Sequence, residues 1–158
     1  MRFIAHRGNV DGPSPTDENN PLYLKEAIAM GFDVEVDLQH DNGIWYLGHD
    51  SLDTAHEIDL GFICDRRVWV HCKTKEALMA LRETSCALYG VTHYFWHQSD
   101  DVTITSQGWL WAYPGIQLSG ERTVACLPEW NDTDVSGFRA VCTDYVNRYV
   151  KQLELHDV

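Results

Sequence analysis

Helical patterning in this chain is confined to its first half and its far end, whereas strand-like runs continue throughout, and that asymmetry restricts the available folds. Arg2–Ala5 is a short apolar run that ends in His6-Arg7-Gly8, a strand followed by a breaker. Residues 10–21, rich in Pro, Asp, Asn and Ser, read as a loop. Pro21–Met30 places Leu22, Leu24, Ala27, Ile28 and Met30 at broadly helical spacing and stops at Gly31. Phe32–Leu38 alternates as a strand, Asn42-Gly43 is a turn, and Ile44–Leu47 is another short strand. Arg67–Cys72 is the next strand and Lys75–Arg82 the next helix, with Ala77, Leu78 and Leu81 on one face. Beyond it, Tyr94–His97, Val102–Thr105, Trp109–Tyr113, Thr123–Leu127 and Ala140–Thr143 are strand-like, and a short helix begins after Tyr145.

Early strand–helix–strand units point to parallel α/β architecture. Leaving out the Ile44 hairpin, the runs number about eight, the count that closes a barrel. The connections in the second half are too short for full helices. The expected fold is therefore a compact (β/α)8 TIM-type barrel, a single domain over residues 1–158, with several outer helices reduced or missing in its second half. A homodimer would cover strand faces that such a barrel leaves bare.

Composition narrows the partners. Twelve Lys and Arg against 24 Asp and Glu give a net charge of −12, which disfavours nucleic acid and anionic membranes as the main partner. No apolar run approaches the roughly 18 residues needed to span a bilayer. The opening MRFIAHRGN lacks the plan of a signal peptide. The five cysteines include no CxxC pair, so reduced core thiols are expected, and with them a cytoplasmic location.

The polar residues with chemical potential sit at strand ends. Glu35 and Asp37 lie two apart and so project from one face of their strand, as do His71 and Lys73 on theirs. Buried carboxylates on one face need a compensating cation, and a divalent ion with oxygen ligands is the simplest. His6 and His49 could divide acid and base roles at neutral pH. Arg7 and Lys73 offer positive charge to a phosphate, although Lys73 could equally pair with Glu35 or Asp37. His40, His56, His93 and His156 stand in polar surroundings and read as solvated. Trp109, Trp111 and Tyr113 share a strand face; filling the barrel is the favoured reading over stacking on a sugar or glycerol unit.

In their order, His6-Arg7-Gly8, Glu18-Asn19, Gly31-Phe32-Asp33-Val34-Glu35-Val36-Asp37, Gly48-His49-Asp50 and Cys142-Thr143-Asp144-Tyr145 closely resemble the glycerophosphodiester phosphodiesterase family. The similar spider-venom phospholipase D enzymes share the layout. The resemblance implies a barrel with its site at the C-terminal strand ends and a divalent ion, calcium or magnesium, at Glu35 and Asp37. It implies catalytic roles for His6 and His49, here assigned as base and acid, and phosphate contacts from Arg7 and Lys73. Glu18 and Asp144 become candidates for positioning a site residue or touching the substrate, a small phosphodiester. Outside the resemblance, His97 shares a strand face with Phe95 and could reach the barrel mouth to contact substrate or metal.

The chain departs from the family pattern in three places. His71 stands where the family has a third carboxylate ligand, and imidazole suits manganese or zinc better than calcium. His71 could instead contact phosphate. Asp17 and Asn20 replace the Pro and Thr of the family's P-E-N-T stretch, and the chain is shorter than the roughly 250 residues usual for the barrel. The leading expectation is a metal-dependent phosphodiesterase releasing a phosphomonoester and an alcohol. A non-catalytic phosphate- or sugar-phosphate-binding module and a lyase giving a cyclic phosphate are the rivals.

Overall fold

The structure, a computed structural model, describes residues 1–156. Ten strands form one curled mixed sheet: β1 (Arg2–His6), β2 (Asp33–Asp41), β3 (Ile44–Leu47), β4 (His56–Ile58), β5 (Val68–Cys72), β6 (His93–Trp96), β7 (Val102–Ile104), β8 (Leu110–Ala112), β9 (Thr123–Cys126) and β10 (Ala140–Thr143). Four helices accompany them: α1 (Pro21–Ala29), α2 (Lys75–Arg82), α3 (Ser85–Leu88) and α4 (Val146–His156). The strands expected from patterning are all present within a few residues of their expected bounds, whereas β4 and α3 carry no clear periodicity.

The helices start where side chains can satisfy their free amides. The Asn20 side chain accepts from Leu22 N ahead of Pro21, and Thr74 accepts from Ala77 N at the head of α2. Past the end of α1, Gly31 takes a φ of 98°, the left-handed conformation that ends helices cheaply.

The (β/α)8 barrel is not what forms. Strands β6, β5, β2, β1, β10, β9 and β8 run parallel in that order, but β7 pairs antiparallel with β8. β3 and β4 branch off as an antiparallel extension of β2. The carbonyls of Glu35 and Asp37 face one edge of β2; the first accepts from Arg7 N and the second from Gly48 N, so β3 takes over the edge where β1 ends. Between β6 and β7 there is no ladder. Thr103 Oγ1 donates to Trp96 O (2.9 Å) and Ser106 N to Tyr94 O (2.8 Å), so side chains and a turn bridge the seam. Helices follow only β1, β5 and β10. The short connections foreseen in the second half therefore changed the topology itself: the five-residue link 105–109 is too short for a crossover and returns β8 antiparallel to β7.

Strand periodicity divides the buried side chains between two cores. On the convex side, Val34, Val36 and Leu38 of β2 and Val68, Val70 and Cys72 of β5 pack with Leu24, Ala27, Ala77, Leu81 and Val146 of the helices. On the concave side, Ile4, Trp69, Phe95, Trp111, Val124, Ala140 and Cys142 fill the curl. Trp111 lies in this inner core and Trp109 packs against it, as the burial reading of the aromatic face expected, whereas Tyr113 on the same face is exposed. The outer faces of β8 and β9 lack helices, and Ile116, Leu118, Val135 and Phe138 from flanking loops cover Ala112 and Ala125 instead.

Two sequence readings are overturned here. Cys64 and Cys86 form a disulfide across 22 residues, tying the turn before β5 to α3, so not every cysteine is reduced. That removes the thiol argument for a cytoplasmic location; no helix among the described residues is long and apolar enough to cross a membrane. His93 is not solvated: it is 1% exposed, lies 3.8 Å from the Trp69 ring centroid, and its Nε2 pairs with Thr105 Oγ1 at 2.7 Å. His40 and His56 are partly exposed, and the His156 side chain lies outside the described residues.

Both features give measurable consequences. A loop of this size makes the disulfide worth about 3 kcal/mol, so reductant should lower unfolding stability by about that amount. Thiol titration of the denatured, unreduced protein should count three free cysteines, namely Cys72, Cys126 and Cys142; a count of five would exclude the bridge. Burial, followed by the charge of Arg2, depresses the His93 pKa to about 4. The unfolded chain therefore takes up this proton first. Stability should be intact above the ordinary histidine pKa, then fall between about pH 6.5 and 4 by on the order of 3 kcal/mol. His93→Gln should flatten that limb in urea titrations across this pH range.

Candidate functional site

The polar ends of the concave face converge on one cavity of about 450 Å³. Its lining includes all ten residues that the sequence singles out: His6, Arg7, Glu18, Glu35, Asp37, His49, His71, Lys73, His97 and Asp144. The convergence follows from register. In parallel pairing, His6 of β1 lies beside Glu35 of β2, and Asp37 lies beside His71 of β5.

Glu35, Asp37 and His71 each present one ligand atom, all within 4.8 Å of one another. His71 Nδ1 stands 3.5 Å from Glu35 Oε1 and 3.6 Å from Asp37 Oδ1. Its other nitrogen is 2.7 Å from the backbone oxygen of His97, which can only accept, so Nε2 carries the proton and Nδ1 faces the carboxylates. Phe95 stacks on the imidazole at 4.9 Å and fixes its plane. Both carboxylates are nearly fully buried, and Glu35 Oε2 has no hydrogen-bond partner among the described residues. One imidazole nitrogen and two carboxylates, with the second imidazole nitrogen bound to a carbonyl, make a donor set that fits a divalent cation.

The fixed cations face the same carboxylates. Arg7 Nε lies 2.8 Å from Asp37 Oδ2 as an ion pair without hydrogen-bond alignment, and Nη1 donates to Glu18 Oε2 at 3.0 Å. Lys73 Nζ is 3.5 Å from Asp37 Oδ1, so the ion pair allowed for in the sequence is present. Asp37 is held near pKa 2: burial would raise it, but Arg7, Lys73 and His71 outweigh burial. Arg7 reaches back over the site because its backbone is left-handed (φ 53°) and Gly8 follows at φ 93°. A Cβ on Gly8 would stand 2.8 Å from the Tyr23 ring, which explains the glycine of the His-Arg-Gly turn.

Beside Glu35, His6 Nδ1 bonds Asp144 Oδ1 at 2.7 Å while Nε2 lies 3.9 Å from Glu35 Oε2. Burial would depress the imidazole, yet the Asp144 bond and the Glu35 charge hold its pKa up to about 9. In this state it carries a proton at neutral pH. His49 stands at the partly exposed mouth, its Nδ1 paired with Asp50. His97 is turned to Asp100 O through Nε2, meets Tyr113 edge-on at 5.5 Å, and has its pKa lowered mainly by burial.

Other organising residues carry no role in the sequence reading. Asn19, in the left-handed region at φ 62°, donates to Asp37 Oδ2 (3.0 Å) and accepts from Asp37 N (2.9 Å). Asn9 bridges Glu18 Oε1 (2.9 Å) and Asp144 Oδ1 (2.8 Å). Glu129 accepts from Thr143 Oγ1 at 2.8 Å and from Asp144 N at 2.9 Å. Asn19 follows Glu18 in a recognisable motif and could have been weighed. Glu129 has no local signal, because its partners lie about fifteen positions away.

No family model, curated protein or solved structure matches the chain.

The Asn19 bridge supplies a test of how tightly the site is tied to the fold. Asn19→Ala leaves a buried carboxylate and a backbone amide short of partners, so it should cost about 1–3 kcal/mol in denaturant unfolding. Asn19→Asp should cost more, since it sets another carboxylate beside Asp37.

Proposed function

We propose that the protein is a metal-dependent phosphodiesterase that cleaves a small phosphodiester into a phosphomonoester and an alcohol. The observation that carries this reading is the buried triad Glu35, Asp37 and His71 beside the His6–Asp144 pair in one cavity. The ordered resemblance to glycerophosphodiester phosphodiesterases supports it. Charge supports it too: Glu18, Glu35, Asp37 and Asp144 outnumber Arg7, Lys73 and a protonated His6 around the cavity. A phosphodiester anion would be repelled from that lining unless a divalent cation restored the balance. Glu35, Asp37 and His71 are the residues that would hold it, and when bound it would polarise a phosphate oxygen as a Lewis acid.

The protein's own groups account for the remaining steps. Arg7 and Lys73 flank Asp37 and offer donors to the non-bridging oxygens, where charge builds in the transition state. Asp144 fixes the His6 ring so that Nε2 is the atom that exchanges a proton inside the cavity. Its protonated state suits donation to the departing alcohol, the reverse of the base role assigned from sequence. His49, at the mouth and in contact with solvent, is then placed to take the proton of an attacking water.

Phosphorus NMR on a panel of glycerophosphodiesters tests this reading, using metal-stripped protein and then magnesium, calcium, manganese or zinc added singly. A phosphomonoester resonance should appear with one of these ions and vanish with chelator. Its chemical shift also separates hydrolysis from release of a cyclic phosphate. Glu35→Gln should abolish the ion-activated turnover, and His6→Ala should slow turnover by about 10²–10⁴-fold. Turnover insensitive to chelator, or binding of diesters without product under every ion, would overturn the proposal.

A further inference from the structure

The cavity is lined in part by aromatic and apolar groups. Trp130 lines it while 65% exposed, and Tyr113 while 41% exposed, flanked by Pro114 and Leu127. Exposed indole at a cavity mouth is unusual, because so large an apolar surface normally goes to the core. Trp130 is also held in place. It ends the short turn Pro128–Trp130, which Leu127 enters in the left-handed conformation (φ 44°), a strained state for a branched side chain. The neighbouring Glu129 straps that turn to Thr143 and to the backbone of Asp144, the residue that holds His6. The ring is thus presented at the mouth by the same segment that positions the proton-exchanging imidazole.

We propose that Trp130, together with Tyr113, is a stacking platform for the alcohol half of the substrate, and that the preferred alcohol carries a planar unsaturated ring, aryl or heteroaryl. The inference rests on the phosphodiesterase reading and deepens it by naming the substrate class. In the reaction, a water oxygen attacks phosphorus and the phosphorus–oxygen bond to the ring-bearing alcohol breaks. The departing oxygen receives one proton, and the water's proton passes to a base, leaving a phosphomonoester and a neutral alcohol. Pro114 and Leu127 add apolar contact around the two rings, which suits the body of an uncharged ring.

The test compares two glycerophosphate esters matched in charge, bulk and alcohol acidity, one of benzyl alcohol and one of cyclohexylmethanol. Stacking predicts a KM for the benzyl ester lower by about 5- to 10-fold. Trp130→Ala should erase the difference and Trp130→Phe should keep most of it; melting curves of the variants check that they fold. Equal KM values in the native protein, or a difference that survives Trp130→Ala, would overturn the proposal. If neither ester is hydrolysed, calorimetric binding of benzyl phosphate against cyclohexylmethyl phosphate answers separately. Tighter benzyl binding that depends on Trp130 would sustain the platform while the hydrolytic reading failed, and equal binding would remove the platform.

Discussion

The placement of Glu35 and Asp37 on the concave face of β2 is the constraint on which the rest of the site depends. A carboxylate withdrawn from water costs several kcal/mol unless neighbours compensate it, and here two lie side by side, nearly fully buried. Arg7, Lys73, His71 and Asn19 all answer to Asp37, and His6 and His71 flank Glu35. Those partners come from the ends of β1 and β5 and from the loop before α1. The site is therefore a charge-compensation problem solved by the whole first half of the chain.

The curled sheet makes that solution possible because parallel register brings distant strand ends to one level. His6, Asp37, Lys73, His97 and Asp144 arrive at the cavity from β1, β2, β5, β6 and β10 or the residues that follow them. Beneath them, Trp69, Phe95 and Trp111 pack into a hydrocarbon floor, with Phe95 stacked on Trp111 at 4.3 Å. A dry floor strengthens the electrostatics above it, since charges separated from water interact more strongly. The second half contributes less charge but closes the curl. Loops over β8 and β9 do the covering that helices do elsewhere, and the Glu129 strap carries their order into the site.

The pocket lining also combines two unlike sets of groups. Carboxylates, imidazoles and cations share it with Tyr113, Trp130, Pro114 and Leu127. A ligand using both sets would need an anionic centre and an apolar group within one small molecule, and each half would be penalised against the wrong set.

Local patterning was enough for most individual elements, β4 and α3 excepted, and for the ten polar residues that line the cavity, but not for Asn9, Asn19 or Glu129. The two-residue period placed Glu35 with Asp37 and His71 with Lys73, and α2 matched its periodicity residue for residue. It was not enough for topology. Whether Val102–Ile104 runs parallel or antiparallel to its neighbour depends on how the five-residue link 105–109 can turn, and whether β3 pairs beyond the end of β1 depends on where that edge becomes free. Nor could it pair Cys64 with Cys86 or bury His93, because both depend on what long-range packing brings alongside. The sequence by itself determined the strand faces and therefore which side chains could meet in the cavity. The tertiary structure decided the open, mixed sheet, the disulfide and the straps from Asn19 and Glu129, because each joins residues whose nearness is set only once the sheet has curled.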